Sequence, residues 1–293
     1  MADDPRHLYC FTGHIPGNAP TALILLNSTS PKSSFRFLRS VWRCATLRIV
    51  ADGAANLLHA AVLAGAAAGE AELIPDAIIG DWDSVDATSA AFFRERGAVL
   101  LAQPNDQDST DLEKCLREVE RRQAASGGTA LFRVIVYGAF GGRFDHEAQN
   151  LNVLYRSHSR FEAITLLSGD TIASLLPAGV HNVRVAWPFE GPTVGLVPLG
   201  EPAELTTCGL RWDVERWPTS FGGNISTSNA VEGCAGSSDE WVRPVVRIEV
   251  TAPVVWTLCV NADAVIENAA AEESAQDGAQ RATQQHAVLP FDG

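Results

Sequence analysis

An α/β domain built on a parallel sheet, followed by an all-β sandwich, is the fold class that this 293-residue sequence predicts. Three observations predict it. Up to about residue 175, short apolar runs alternate with helical patterns, as in a parallel sheet covered on both faces. From Pro177 to about Val260, β-rich runs are separated by Gly, Pro, Asn and Asp with no helical period. The chain is 46% hydrophobic and 19% charged, a soluble composition with enough length to bury a core without staples. The expected divisions are 1–175 (α/β), 176–262 (sandwich) and 263–293, an acidic tail expected to be disordered.

The elements follow in order. "TALILLN" at 21–27 reads as a strand. "TLRIVADGAANLLHAAVLAGAAA" reads as a strand to about Val50 and then a helix. "PDAIIGDWDS" is a strand ending at Gly80, "SAAFFRERG" a short helix and "AVLLAQ" a strand. "STDLEKCLREVERRQ" is a helix with its apolar side at Leu112, Cys115, Leu116 and Val119, and Thr110 with Glu113 three residues on forms a capping box. "LFRVIVYG", "RFDHEAQNLNVLYRS" and "FEAITLLSG" complete the alternation as strand, helix, strand. In the second half "GVHNVRVAW", "TVGLVPL", "AELTTCGLRW", "VVRIEV" and "VVWTLCV" read as strands, with residues 232–243 a polar insertion between two of them.

A formal net charge of -13 excludes a basic nucleic-acid surface. It leaves phosphate substrates open, because a metal ion can carry the positive charge. Cys10, Cys44, Cys115, Cys208, Cys234 and Cys259 form no CxxC pair and are expected to be buried free thiols. The opening "MADDPR" has no apolar run and no stretch reaches membrane-spanning length, so a cytoplasmic protein with no membrane partner is expected. Lys32 and Lys114 are the two lysines, and neither lies in a GxxxxGK[ST] pattern.

The polar clusters fall on one edge of this map. Asp52, the pair Asp81 and Asp83, the trio Asp106, Asp108 and Asp111, and the pair Arg143 and Asp145 each follow the carboxyl end of an expected strand. Ligands of open parallel sheets bind along that edge. Asp81 and Asp83 are one residue apart, and in extended backbone they point the same way, so both can reach one hard cation such as Mg²⁺. "NDQDSTD" at 105–111 adds carboxylates and Gln107 at a helix start. "GAFGGRFDHEAQN" puts three glycines before a helix, where an anion can approach the backbone, and Arg143 is a candidate phosphate clamp. In the β half, Ser226, Thr227, Ser228 and Asn229 are candidates for a polar pocket, while Trp212 and Trp256 are either core or a stacking face.

"ADGAANLL", "PDAIIGDWDSV", "DQDSTDLEKCL" and "GGRFDHEAQNLNVL", followed by "GLRW", "STSN" and "VVWTL", resemble in order the motifs of the thiamine pyrophosphokinase family. The resemblance covers roughly residues 20 to 260. It implies an α/β nucleotide-binding domain before a β-sandwich thiamine-binding domain, and a homodimer with thiamine bound between subunits. It implies transfer of the β,γ-diphosphate of ATP, with Mg²⁺, to the hydroxyethyl oxygen of thiamine, leaving AMP. Asp81, Asp83 and Asp111 would then hold the metal. Together with Arg143 and Asp145 they would form the catalytic set, with Asp111 or Asp145 as the proton acceptor. Asp52, Gln107, Asp108, Arg143 and Ser226 would bind ATP; Asp83, Trp212 or Trp256, Ser228 and Asn229 would face thiamine. Ala54 stands where a second glycine is common in the family, and Trp82 where Phe or Leu is more usual. Two other readings share these residues: a diphosphotransferase acting on a pteridine or nucleotide, and a binding protein without catalysis.

Overall fold

The computed structural model describes residues 19–27, 35–67, 73–106, 108–127, 130–187, 189–233 and 244–267. Its first half is wound on six parallel strands: β1 (Thr21–Leu25), β2 (Leu47–Ala51), β3 (Ala77–Gly80), β4 (Val99–Ala102), β5 (Arg133–Tyr137) and β6 (Ala163–Leu167). They lie in the spatial order β6-β5-β1-β2-β3-β4, and every neighbouring pair is parallel. The chain therefore builds outward from β1 in one direction and then restarts on its other side. Leu25 pairs with both Val50 and Tyr137, so the carboxyl ends of the central strands finish level and open a crevice where the winding reverses.

Helices cover the sheet: α1 (Phe35–Cys44), α2 (Asp52–Ala67), α3 (Ala87–Glu95), α4 (Asp111–Ala125) and α5 (Phe144–Ser157). Helix α1 was not expected from the sequence, yet Phe37, Leu38, Val41 and Trp42 bury its inner face. Helix α4 starts where its capping box predicts: Glu113 N–H donates to Thr110 Oγ1 (3.5 Å) and Thr110 N–H to Glu113 Oε2 (3.0 Å). Its apolar side, Leu112, Cys115, Leu116 and Val119, is fully buried.

The second half departs from a self-contained sandwich. Ser168–Asp170 form a tight turn, with Ser168 N–H donating to Thr171 O (2.9 Å), and send β7 (Thr171–Leu176) back antiparallel along β6. With β9 (Glu190–Val197), β12 (Ser226–Ala230) and β14 (Val254–Val260), β7 continues the parallel sheet into one ten-stranded sheet, β12-β9-β14-β7-β6-β5-β1-β2-β3-β4. The expected boundary at 175/176 thus falls inside a strand that pairs on both sides. The other layer is a four-stranded sheet, β11 (Trp217–Thr219), β10 (Ala203–Cys208), β13 (Val245–Val250) and β8 (Gly179–Arg184), and one continuous hydrophobic core joins the layers.

A short helix over 262–267 runs into the expected tail, where Val265 is 5% exposed in the core; residues 268–293 lie outside the described residues. Residues 234–243 of the polar insertion also lie outside them. Among the described cysteines, Cys115 is buried, but Cys208 and Cys259 are exposed on strands, against the expectation of burial. Cys10 and Cys234 fall outside the described residues. Among the described residues no helix is long and apolar enough to cross a membrane.

Candidate nucleotide and metal site

Gly80 ends β3 and Asp52 opens α2 beside it. A Cβ on Gly80 would lie 2.4 Å from Asp52 Cγ, so only glycine lets the two elements approach. Asp52 is 2% exposed and accepts two backbone hydrogen bonds, from Gly53 N–H (2.6 Å) and from Trp82 N–H (2.9 Å). The second bond pulls the chain out of β3 into a turn, with Trp82 at φ 73°, a left-handed conformation that is costly for a bulky residue. The Asp-Trp-Asp stretch is therefore a turn, and the extended backbone expected for it is not what aligns its carboxylates. Asn56 of α2 pins the far end of the loop: its Nδ2 donates to Ser84 O (2.8 Å) and its Oδ1 accepts from Asp86 N–H (2.9 Å).

The result is a carboxylate cluster. One oxygen each of Asp52, Asp81 and Asp83 lies within 4.8 Å of the others. Asp111, at the start of α4, joins this cluster through a lysine. Lys114 Nζ donates to Asp81 Oδ2 (3.3 Å) and lies 3.5 Å from Asp111 Oδ1, and the Lys114 side chain is 2% exposed. Sequence reading passed over Lys114 because it lies in no phosphate-loop pattern. Its position one helical turn after Asp111 was the available signal.

The charges respond to these surroundings. Burial pushes the Asp52 carboxyl above its ordinary range, assisted by the charges of Asp81 and Asp83 against two lowering hydrogen bonds. Burial also raises Asp111, with Asp52 adding to it. For Asp81 burial is outweighed by hydrogen bonds from Asp83 N–H and Lys114, and its carboxyl is held low. Lys114 pays for burial too, but Asp111 and Asp81 hold its pKa above the usual lysine range.

A cavity of about 340 Å³ opens over the carboxyl ends of β1, β2, β3 and β5 and the start of α4. Asp81, Asp111 and Lys114 line one wall; Gly138, Gly142, Arg143 and Glu147 line another. The amino ends of α4 and α5 both reach it, which favours an anion. Asn27 and Asn150 also line it; Asn150 Nδ2 donates to Ala139 O (2.9 Å), tying α5 to the glycine loop.

The other expected residues are placed as follows. Arg143 and Asp145 are exposed and paired with each other, Arg143 Nε donating to Asp145 Oδ1 at 3.1 Å, and that bond holds the Asp145 carboxyl low. Arg143 lines the cavity and Asp145 stands outside its lining. Asp108 is exposed and also outside it, and Asp106 binds Arg117. Gln107 lies outside the described residues.

Ser226, Ser228 and Asn229 sit on β12, eight ladder steps along the sheet from β3, a path of roughly 38 Å at about 4.8 Å per step. Within one chain they do not meet the aspartates. Trp256 is 2% exposed in the core and presents no open ring face, so the core reading of this residue is the one its position bears out. Trp212 is 56% exposed, with the Arg211 guanidinium 5.2 Å from its ring centre. Asn229, 5% exposed, donates from Nδ2 to Trp212 O (2.9 Å) and accepts at Oδ1 from Trp212 N–H (3.2 Å). Its amide is thus committed to holding the Trp212 loop. Ser228 is exposed at a bulge with φ 56°.

Comparison with known proteins gives a consistent answer. Residues 38–166 match the family model described as "Thiamin pyrophosphokinase, catalytic domain", and residues 180–255 match "Thiamin pyrophosphokinase, vitamin B1 binding domain". The chain is 38% identical over 249 residues to thiamine pyrophosphokinase 1 of Oryza sativa subsp. japonica, covering 82% of this chain and 88% of the relative. It is 37% identical over 246 residues to thiamine pyrophosphokinase 1 of Arabidopsis thaliana, covering 82% and 86%. Among solved structures, the fold is similar to that of yeast thiamin pyrophosphokinase, with a TM-score of 0.73 at 22% identity over 87% of this chain and 90% of the other.

Proposed function

The chain belongs to the thiamin pyrophosphokinase family, and from that premise we propose that it transfers the β,γ-diphosphate of ATP to the hydroxyethyl oxygen of thiamine, releasing AMP. The observation that supports this most is the cavity itself. Acidic groups and one buried lysine occupy one wall, and a glycine loop with an arginine occupies the other. A triphosphate between them meets cations and backbone N–H donors on both sides. Diphosphoryl transfer needs charge balance and alignment more than covalent help from the protein.

The donor set suits a hard cation. Three carboxylates with oxygens within 4.8 Å are the ligand type that Mg²⁺ accepts. Asp81 and Asp83 would hold it, with Asp52 and Asp111 as further carboxylates nearby. When bound, Mg²⁺ supplies charge neutralisation on the phosphate oxygens. The remaining work belongs to side chains of this chain. Lys114 keeps Asp81 and Asp111 together and presents a positive charge to the cavity. Arg143 clamps phosphate oxygens, and Asp145 orients it. Asp111, whose carboxyl is raised by burial and which lines the cavity, is the better placed acceptor for the hydroxyl proton. Asp145, exposed and held low by Arg143, is the weaker base.

Thiamine is cationic and aromatic, and the exposed ring of Trp212 offers it a stacking face. Asn229 contributes by fixing the Trp212 backbone, and Ser226 and Ser228 lie along the same edge strand. Because that edge lies eight strands from β3, the acceptor site over one set of aspartates is contributed by a second copy of the chain, in a homodimer. Incubation with thiamine, ATP and Mg²⁺ tests the reading directly: AMP and thiamine diphosphate form in equal amounts. ADP as the nucleotide product excludes diphosphoryl transfer, and turnover with a pterin in place of thiamine reassigns the acceptor.

A further inference from the structure

The anion-binding groups around the cavity are already engaged by acids of the same chain. Lys114 is held by Asp81 and Asp111, and Arg143 by Asp145. The third engagement is less expected. Gly141 N–H and Gly142 N–H both donate to one oxygen of Glu147, Oε1, at 2.8 and 3.0 Å. Gly141 has φ 95°, a conformation natural to glycine, and it turns the two successive N–H groups toward a common point. Converging backbone donors before a helix are the arrangement that receives a phosphate oxygen. Here a carboxylate oxygen fills it, from a side chain in the first turn of α5 that itself lines the cavity.

We propose that the Glu147 carboxylate is an internal anion occupying the phosphate-receiving donors of the glycine loop, and that the triphosphate of ATP displaces it on binding. Glu147 thereby sets the affinity of the pocket for the triphosphate and has no part in the transfer step. The proposal rests on reading the cavity as the triphosphate pocket. Two physical consequences follow. In the free protein, Glu147 holds the loop in its anion-bound shape, so the loop does not have to be ordered when ligand arrives. At the same time its negative charge and its hold on both donors oppose the incoming phosphate, so binding is an exchange rather than an addition.

The test uses the full chain and its variants Glu147→Gln and Glu147→Ala. Glutamine keeps an acceptor oxygen at the same reach and removes the charge; alanine frees both donors. Inorganic triphosphate and ATP with Mg²⁺ are titrated calorimetrically, and steady-state constants are measured for both substrates. The expected result is binding tighter by roughly three- to ten-fold, the range for removing one like charge at a partly solvated site. KM for ATP falls in step with the binding constant, and the change in KM for ATP exceeds any change in KM for thiamine. Wild-type binding that tightens in neither variant overturns the proposal and leaves Glu147 as a scaffold of the loop. Absence of triphosphate binding by the wild-type protein instead overturns the nucleotide reading of the cavity, and the proposal with it.

Discussion

Replacing Gly80 by alanine tests the construction of the carboxylate cluster at its narrowest point. The added methyl would lie 2.4 Å from Asp52 Cγ, 2.5 Å from its Oδ2 and 2.6 Å from its Cβ. No rotation of the Asp52 side chain relieves the contact with Cβ, so α2 or β3 must shift. Overpacking of this kind costs about 1–3 kcal/mol. The shift also removes the hydrogen bond from Trp82 N–H to Asp52 Oδ2, now 2.9 Å, and a bond to a charged acceptor contributes about 1.5–3 kcal/mol. Together the loss is about 3–5 kcal/mol, within the stability of an ordinary domain, so the variant stays folded at room temperature. At about 2–4 °C per kcal/mol the thermal midpoint falls by roughly 6–20 °C. Circular dichroism melts measure the fall, and the AMP-forming assay at 20 °C measures the site. Turnover drops by more than about ten-fold, because the Asp81–Asp83 turn loses the bond that bends it. A Gly80→Ala protein that melts with the wild type and turns over normally would show that the turn forms without Asp52.

Lys114→Met leaves Asp81 and Asp111 facing each other without their shared cation. The cost is about 1–3 kcal/mol, below that of a fully buried pair because the Asp111 side chain is 37% exposed. In urea titrations Mg²⁺ restores more stability to this variant than it adds to the wild type; equal increments would separate Lys114 from the metal-directed carboxylates. Asp81→Asn and Trp212→Ala are each inactive alone, but co-expressed they regain roughly a quarter of wild-type activity through mixed dimers that carry one intact site. No recovery argues for a site built within one chain. Glu118 is 6% exposed and bound by Arg121 (2.6 and 2.7 Å) and Arg122 (2.8 Å). The Arg121 bond, against burial, holds its carboxyl below the ordinary 4.5. A lowered carboxyl contributes stability that is complete above its unfolded value and lost as pH falls through the folded one. Urea midpoints of the wild type therefore decline more steeply below pH 4.5 than those of Glu118→Gln, and parallel curves would contradict the assignment.

Strand β3, helix α4 and the edge that carries the acids were legible because each rests on a local rule. Ile78 and Ile79 run into Gly80, Thr110 and Glu113 close a capping box, and the polar clusters follow strand ends. Asp81 and Asp111 are bridged by Lys114, and the Lys114–Asp81 contact joins residues 33 apart that no local pattern encodes. The Asp-Trp-Asp turn was misread for the same reason: its shape is imposed by Asp52, thirty residues earlier. Strand β7 was not expected: the strand reading stops at "FEAITLLSG", and "TIASLL" follows "AITLL" after only a three-residue turn. The commitment of Asn229 to the Trp212 backbone, and of Glu147 to Gly141 and Gly142, shows the limit on the functional side. Residue type marks a side chain as polar, and only the fold decides which partner takes it.

The unbroken ladder from β12 to β4 also governs what the molecule can do mechanically. Ten hydrogen-bonded strands form a beam, and a beam offers no hinge at which one half could swing toward the other. Any clamping on a substrate must come from side chains and short loops at the rim, such as the glycine turn before α5. Severing the beam between β6 and β7 would not yield two independent pieces. It would strip each of a partner and leave a raw flank of unpaired amides open to promiscuous self-association.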